Sequence, residues 1–197
     1  QRSLVGSEMC IRDRFFTVFG MLPFYFSGSI DTITNAFFET MSGFTTTGAT
    51  ILDDIESLSH GMLFWRSLTQ WIGGLGIVFF TIAILPIFTT GGVQLFSAET
   101  TGVTHDRTHP KINVMAKWLW TVYLILTVSE TILLMFGGMD LFDAICQSFA
   151  TTATGGYSTK QNSISYWNSP YIEYVVAIFM IISSINFSSV SYTHLTL

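Results

Sequence analysis

Two Thr/Gly-rich stretches decide the fold: residues 37–50 read FFETMSGFTTTGAT, and residues 147–159 read QSFATTATGGYST. They are related by an offset of 108 positions, at which residues 46–50 (TTGAT) align with residues 154–158 (TGGYS). Few residues are identical, but the residue types agree along the whole element. The chain therefore contains two copies of one structural unit that run in the same direction, and such parallel repeats can surround an axis along a membrane normal.

Each Thr/Gly stretch begins in the second half of a segment that is too short to cross a bilayer. These segments are residues 30–42 (IDTITNAFFETMS) and residues 139–150 (MDLFDAICQSFA). Apolar segments of about 10–14 residues are typical of re-entrant or interfacial helices. We predict a pore helix at each, with Ser29 or Asp31 capping the first and Asp140 capping the second.

Longer apolar stretches flank both short segments. The chain is 49% hydrophobic and 11% charged, whereas soluble domains carry about 25% charged residues. A membrane-spanning helix needs about 20 mostly apolar residues. The predicted spans are residues 64–88, 117–137 and 171–188, with residues 15–26 as the end of a truncated span. The fold class is therefore an all-α polytopic membrane protein built from span–re-entrant pore helix–span repeats, at residues 15–88 and 117–188.

The charges in the connecting loops predict the orientation. Residues 89–116 contain Arg107 and Lys111, whereas residues 51–63 contain three acidic residues and no Lys or Arg. The positive-inside rule places residues 89–116 in the cytoplasm. Both Thr/Gly stretches then enter the membrane from the outside.

Both ends of the chain look foreign to the rest. Residues 1–14 read QRSLVGSEMCIRDR, and residues 189–197 read SVSYTHLTL. Neither segment continues the pattern of its neighbours. We interpret them as non-native segments derived from adapter or vector sequence, and we leave them out of the fold prediction.

The Thr/Gly stretches supply oxygen atoms that suit a dehydrated cation. Lipid cannot satisfy free main-chain groups, so non-helical backbone at membrane depth must line a polar cavity or be buried in protein. A row of carbonyl oxygens can replace the hydration shell of a permeating cation, and TGGYS is close in kind to the TVGYG filter of potassium channels. The predicted filter segments are residues 44–50 and 152–158. The candidate ion-binding residues are Thr46, Thr47, Gly48, Ala49, Thr154, Gly155, Gly156 and Tyr157.

A few single residues have more than one interpretation. Glu39 can tie down the filter by hydrogen bonds or add negative potential to it. Because its aligned partner Gln147 carries no charge, we favour a structural role, as filter support, for both residues. Glu130 lies inside a span, where a carboxylate is a functional candidate or has a packed polar neighbour. The glycines at 73, 74 and 76 are expected to be helix-packing sites. The four histidines have no ligand spacing, so no metal site other than one for the transported ion is predicted.

The same stretches resemble a family. Residues 37–50 resemble the first pore loop, and residues 147–159 the second pore loop, of the TrkH-like membrane subunit of the Trk/Ktr/HKT potassium transporter superfamily. Residues 70–96 (QWIGGLGIVFFTIAILPIFTTGGVQLF), with HPKI at 109–112, resemble the same family. The similarity covers about residues 15–188 and is most specific over residues 70–96.

The resemblance implies more than the residues themselves do. Members of this family have four pore repeats, so this chain would be the N-terminal half, a fragment with two of an expected four repeats. It implies potassium transport through a selectivity filter in a bacterial inner membrane. The implied partners are membrane lipid, a second copy in a homodimer and a cytoplasmic nucleotide-binding regulatory subunit of the TrkA/KtrA kind. No cofactor is implied, and coupling of K⁺ flow to H⁺ or Na⁺ stays open.

Other functions are less well supported by the sequence. A secondary transporter with broken helices for another cation or a small substrate would be expected to have inverted repeats. An enzyme would need a cluster of acid–base or metal-binding residues, and nucleic-acid binding would need a basic stripe; the sequence shows neither, so no enzyme activity and no nucleic-acid partner are expected. A non-functional truncated product is the remaining alternative.

Overall fold

The computed structural model describes residues 14–75 and 109–184, and all regular secondary structure within these two ranges is helical. Residues 14–20 are helical and lead into the first complete element. In chain order the elements are α1 (Leu22–Phe26), α2 (Ile33–Phe44), α3 (His60–Gly74), α4 (His109–Phe136), α5 (Leu141–Thr152), a 3-10 helix (Ser163–Trp167) and α6 (Pro170–Ser184). This order repeats the pattern of a short helix followed by an irregular loop and another helix.

The short helices α2 and α5 are alike in length and position. Each has 12 residues, and their first residues are separated by the offset of 108 found in the sequence. Asp140 caps α5, as predicted, because its side chain accepts a bond from the Phe142 N–H at 3.2 Å. The predicted cap of α2 is wrong: Thr32 occupies the N-cap without a side-chain bond. The reason is that α2 begins at Ile33, so that Thr32 holds the N-cap position in place of Ser29 or Asp31.

Helix α4 begins earlier than the sequence predicts. It starts at His109 rather than at Lys117, so residues 109–116 of the predicted cytoplasmic loop are helical. Pro110 is tolerated there because the first turn of a helix needs no N–H donors. Within the described residues, Trp118–Phe136 is the one helical segment that is long and apolar enough to cross a membrane. Only 17% of the residues in its apolar window are buried. Its exposed apolar side chains suit contact with lipid.

The helices α3 and α6 follow the two loops. Each has 15 residues, and each begins near the start of a predicted closing span. The remaining parts of these predicted spans, residues 76–88 and 185–188, lie outside the described residues. So do most of the predicted cytoplasmic loop, Gly76 and nearly all of the two foreign-looking ends.

Each unit has its own apolar cluster. The first contains Phe24, Ile30, Ala36 and Met62. The second contains Leu134, Met139, Ala144, Ile172, Val175, Val176 and Phe179. Outside these clusters, Gln161 joins the two units: its amide donates to Asp53 O at 3.0 Å and accepts from the Ile55 N–H at 3.2 Å.

Helix α3 lies between the ends of the two short helices. A side chain at Gly73 would collide with the main chain of Phe44, and one at Gly74 would collide with Ala153. Phe44 is the last residue of α2, and Ala153 directly follows α5. The prediction that these two glycines are packing sites is therefore confirmed. This arrangement brings the two Thr/Gly loops together at one place.

Candidate ion-binding loops

The two short helices end in the same way. At each end, two main-chain N–H groups beyond the helix donate back to carbonyls of its last turns, which is the bond pattern of a Schellman motif. The bonds are Thr46 N–H to Gly43 O (3.0 Å) and Thr47 N–H to Ser42 O (3.0 Å) after α2, and Thr154 N–H to Thr151 O (2.9 Å) and Gly155 N–H to Ala150 O (2.9 Å) after α5. Every donor and acceptor in the second pair lies 108 positions after its counterpart.

The backbone of the loops also matches at two aligned pairs of positions. Thr46 and Thr154 have φ of 53° and 54°, and Gly48 and Gly156 have φ of 76° and 85°. Left-handed backbone is common for glycine, but it is rare for a β-branched residue such as threonine. Unusual backbone of this kind concentrates at functional sites. The two loops therefore share a specific main-chain conformation.

The structure brings the predicted filter residues of the two loops together. The carbonyl oxygen of Gly155 lies against Gly48, where any side chain would collide with it. Gln70 of α3 packs against Gly155 and accepts a bond from the Tyr157 N–H at 3.1 Å. Residues far apart in sequence thus form one site.

Six carbonyl oxygens in this site accept no hydrogen bond from the part of the chain that the structure describes. Among the described residues, no group donates a hydrogen bond to the main-chain oxygens of Thr46, Thr47, Gly48, Thr154, Gly155 or Gly156. Oxygens without a protein donor remain available to water or to a cation.

Ala49 and Tyr157 join the loops to each other. The Tyr157 side chain is only 2% exposed. Its hydroxyl is placed to donate to Glu39 O at 3.0 Å and to Ala49 O at 3.3 Å. The Ala49 carbonyl is therefore engaged by a protein group, whereas the six others have no donor among the described residues.

Glu39 holds the end of the first loop. Its side chain is fully buried. One oxygen accepts from the Thr50 hydroxyl at 2.9 Å and from Arg66 Nε at 2.8 Å. The other accepts from the Ile51 N–H at 3.1 Å. These bonds link Glu39 to Thr50 and Ile51 at the end of the first loop; its role as a filter support stays a prediction.

Gln147 makes a weaker set of contacts than Glu39. It is 5% exposed, and its Nε2 lies 3.5 Å from the Thr151 hydroxyl within the same helix. Its Oε1 has no hydrogen-bond partner among the described residues. In the described part of the chain, Gln147 therefore does not bond to the second loop.

Two buried polar residues of α3 were missed by the sequence analysis. They are Arg66, which is 2% exposed, and Gln70, which is fully buried. Arg66 donates from Nη1 to Ser158 O at 3.1 Å, and its guanidinium carbon lies 3.7 Å from the centre of the Tyr157 ring. A cation at the start of an apolar span requires a partner, and this was the signal that could have identified Arg66.

Glu130 lies behind the second loop. Its side chain is fully buried, and Oε2 accepts a long bond from the hydroxyl of Thr152, the last residue of α5, at 3.4 Å. Nearby, Thr127 accepts a bond from Trp71 Nε1 at 3.1 Å. Oε1 of Glu130 is buried and has no hydrogen-bond partner among the described residues. Glu130 thus has one packed polar neighbour, as one interpretation expects, and one oxygen without a described partner, which agrees with the other.

Comparisons with known proteins identify the family. The family model TrkH, described as a cation transport protein, matches residues 14–195. The Trk system potassium uptake protein TrkH of Escherichia coli K12 is 52% identical over 170 residues, which are 85% of this chain and 35% of that protein. The Trk system potassium uptake protein TrkG of the same organism is 37% identical over 175 residues, 88% of this chain and 36% of that protein.

A solved structure agrees with these matches. The crystal structure of the potassium transporter TrkH from Vibrio parahaemolyticus superposes with a TM-score of 0.71 at 38% identity, covering 92% of this chain and 36% of that one. The chain spans about a third of the length of the relatives it matches. It belongs to the TrkH family of cation transport proteins, which are transporters and not enzymes, as the sequence predicts.

Proposed function

We propose that this chain forms part of a potassium-conducting pathway in a bacterial inner membrane, and that its two Thr/Gly loops are strands of the selectivity filter. The relatives named above are potassium uptake proteins. Because the chain spans about a third of their length, further parts of the pathway come from sequence outside it. The units at residues 15–88 and 117–188 supply two of four pore repeats in this proposal.

One observation carries the proposal: two loops of equal conformation meet at Gly48 and Gly155 with six carbonyl oxygens free of described donors. Such oxygens can replace the water around a K⁺ ion. The α2 and α5 helices both end at the loops, and the partial negative charge of a helix C-terminus attracts a cation. Transport then needs no covalent chemistry and no cofactor.

The rest of the proposed assembly follows the family. The intact protein would be a homodimer in lipid and would bind a cytoplasmic nucleotide-binding regulatory subunit. Flow of K⁺ would be channel-like or coupled to H⁺ or Na⁺.

Substitution of one filter glycine tests this proposal. In the complete protein that contains this chain, Gly156→Ser should lower the preference for K⁺ over Na⁺ by about tenfold, equivalent to about 1.4 kcal/mol. The reason is that a side chain at a left-handed position shifts the backbone that presents the carbonyls. The measurement is uptake of each ion in a strain that lacks its own K⁺ uptake systems.

The matched control is Gly138→Ser. Gly138 also has a positive φ, 92°, and, like Gly156, has no atom within 4 Å of the added side-chain carbon. It lies between α4 and α5, away from the loops, so its substitution should leave the ion preference unchanged. An unchanged preference in Gly156→Ser would contradict the filter assignment.

A further inference from the structure

We infer that Arg66 is a positioning residue that fixes the separation of the two filter strands, and through it the preference for K⁺ over Na⁺. This inference rests on the proposed function. The contacts that the structure describes for Arg66 are with Glu39, Tyr157 and Ser158 and not with the six carbonyl oxygens; it acts through the residues that hold the loops.

The guanidinium group contacts both loops with different parts. Nε binds Glu39 Oε1 at 2.8 Å, Nη1 binds Ser158 O at 3.1 Å, and the planar face covers the Tyr157 ring at 3.7 Å. The Arg66 side chain is 3% exposed and that of Glu39 is not exposed. Burial shields these contacts from competing water, which strengthens them.

The contacts fall on equivalent points of the two strands. Glu39, which binds Arg66, also accepts a hydrogen bond from the Thr50 hydroxyl at 2.9 Å. Arg66 is therefore linked to Thr50 through Glu39. Arg66 itself reaches Ser158 O. Thr50 and Ser158 align with each other at the repeat offset and follow the free carbonyls in their own loops. One side chain therefore sets the distance between matching positions of the two strands.

A second bond closes the connection. The hydroxyl of Tyr157, a residue of the second loop, is placed to donate to Glu39 O at 3.0 Å. Because Arg66 contacts both Glu39 and Tyr157, the helix and the two loops form a closed ring of contacts. A closed ring resists changes in spacing better than a single bond does, since movement of one member breaks several contacts.

The second unit has no such tie among the described residues. The position 108 residues after Arg66 is Tyr174, which is 72% exposed. The aligned partner of Glu39 is Gln147, whose Oε1 is buried without a described partner. The arginine tie thus belongs to the contact between the first and second loops.

Lysine cannot replace this arginine. Lysine is a point charge without the planar fork and the flat face of the guanidinium group. Removal of the charge alone would leave Glu39 as an unpaired buried carboxylate, which is strongly destabilising. The informative variants are therefore R66K, which keeps the charge, and the double variant E39Q/R66Q, which removes both charges.

The experiment measures ion preference in the complete protein. R66K should lower the preference for K⁺ over Na⁺ by about tenfold, because charge-assisted bonds to the loops are lost. E39Q/R66Q should lower the preference for K⁺ over Na⁺ by a similar factor. If R66K does not accumulate in the membrane, the result for E39Q/R66Q is used in its place. An unchanged preference in a variant that accumulates normally would overturn the inference.

Two controls separate the possible failures. Gln161→Ala removes another tie between the same two units, through Asp53 O and Ile55 N–H, and it should leave the ion preference unchanged. Gly156→Ser tests the filter itself. If Gly156→Ser changes the preference and the Arg66 variants do not, only the role of Arg66 is wrong; if Gly156→Ser has no effect, the proposed function fails.

Discussion

At the scale of single residues, the most informative feature is a threonine where glycine would be less strained. Thr46 and Thr154 both have left-handed backbone, which costs about 1–2 kcal/mol for a residue with a side chain. The bonds that end α2 and α5 require this backbone at these positions. The strain is therefore imposed by the way each helix passes into its loop.

This strain gives a stability prediction. Thr46→Gly should raise the free energy of unfolding by about 1 kcal/mol, because glycine adopts the left-handed backbone without strain. The measurement is the melting temperature of the purified complete protein in detergent. Thr45→Gly is the matched control: Thr45 has φ of −82° and its hydroxyl donates to Met41 O at 2.8 Å, so that change should destabilise. A lower melting temperature for Thr46→Gly than for Thr45→Gly would contradict the argument.

At the scale of elements, α3 organises the site because its glycines let it approach both short helices. Gly73 faces the end of α2, and Gly74 faces the residue that follows α5. Its polar side chains, Arg66 and Gln70, then reach the loops that leave these two helices. The close approach of α3 to the two short helices is therefore what brings its polar side chains within reach of the loops.

Enlarging Gly73 should separate these elements. Gly73→Ala places a methyl group against the main chain of Phe44, which cannot move as a flexible side chain could. We therefore expect the free energy of unfolding to fall by about 1–3 kcal/mol. On the same helix, Gly61 has open space around it, and Gly61→Ala should stabilise by about 0.5 kcal/mol. The comparison of the two melting temperatures checks this prediction, and equal effects would refute the packing argument.

The sequence predicted the elements better than their ends and long-range contacts. The existence of α2 and α5 followed from segment length and from the offset between the two Thr/Gly stretches. Both helices run two residues further than predicted, to Phe44 and Thr152, because main-chain bonds continue into the Thr/Gly stretches. The bond from Arg66 to Ser158 spans 92 positions, and local residue patterns contain no information about a contact of that kind.

At the scale of the whole molecule, the described residues expose large apolar side chains on α4 and bury polar side chains near the two loops. Ile125 and Val128 on α4 are 61% and 56% exposed, whereas Glu39, Gln70 and Glu130 are fully buried. This is the distribution expected where lipid, rather than water, surrounds the protein. It supports placing the two Thr/Gly loops within the membrane.

The orientation in the membrane is directly testable. A cysteine at Asp53, which is exposed in the loop after the first Thr/Gly stretch, should react with a membrane-impermeant thiol reagent added to intact spheroplasts. A cysteine at Arg107, in the predicted cytoplasmic loop, should react only after the membrane is opened. The background carries Cys146→Ala, so that this native thiol does not contribute to the labelling. The reverse labelling pattern would invert the proposed topology.

The contacts among Glu39, Arg66 and Tyr157 also have a consequence for biosynthesis. The ribosome synthesises Glu39 and Arg66, the two residues of the ion pair, before it reaches Ser158, which lies 92 positions after Arg66. At about 5–20 residues per second, this interval lasts roughly 5–20 s. We expect Glu39 and Arg66 to pair during that time, so that the first unit carries no unpaired charge from these residues in lipid before the second unit is complete.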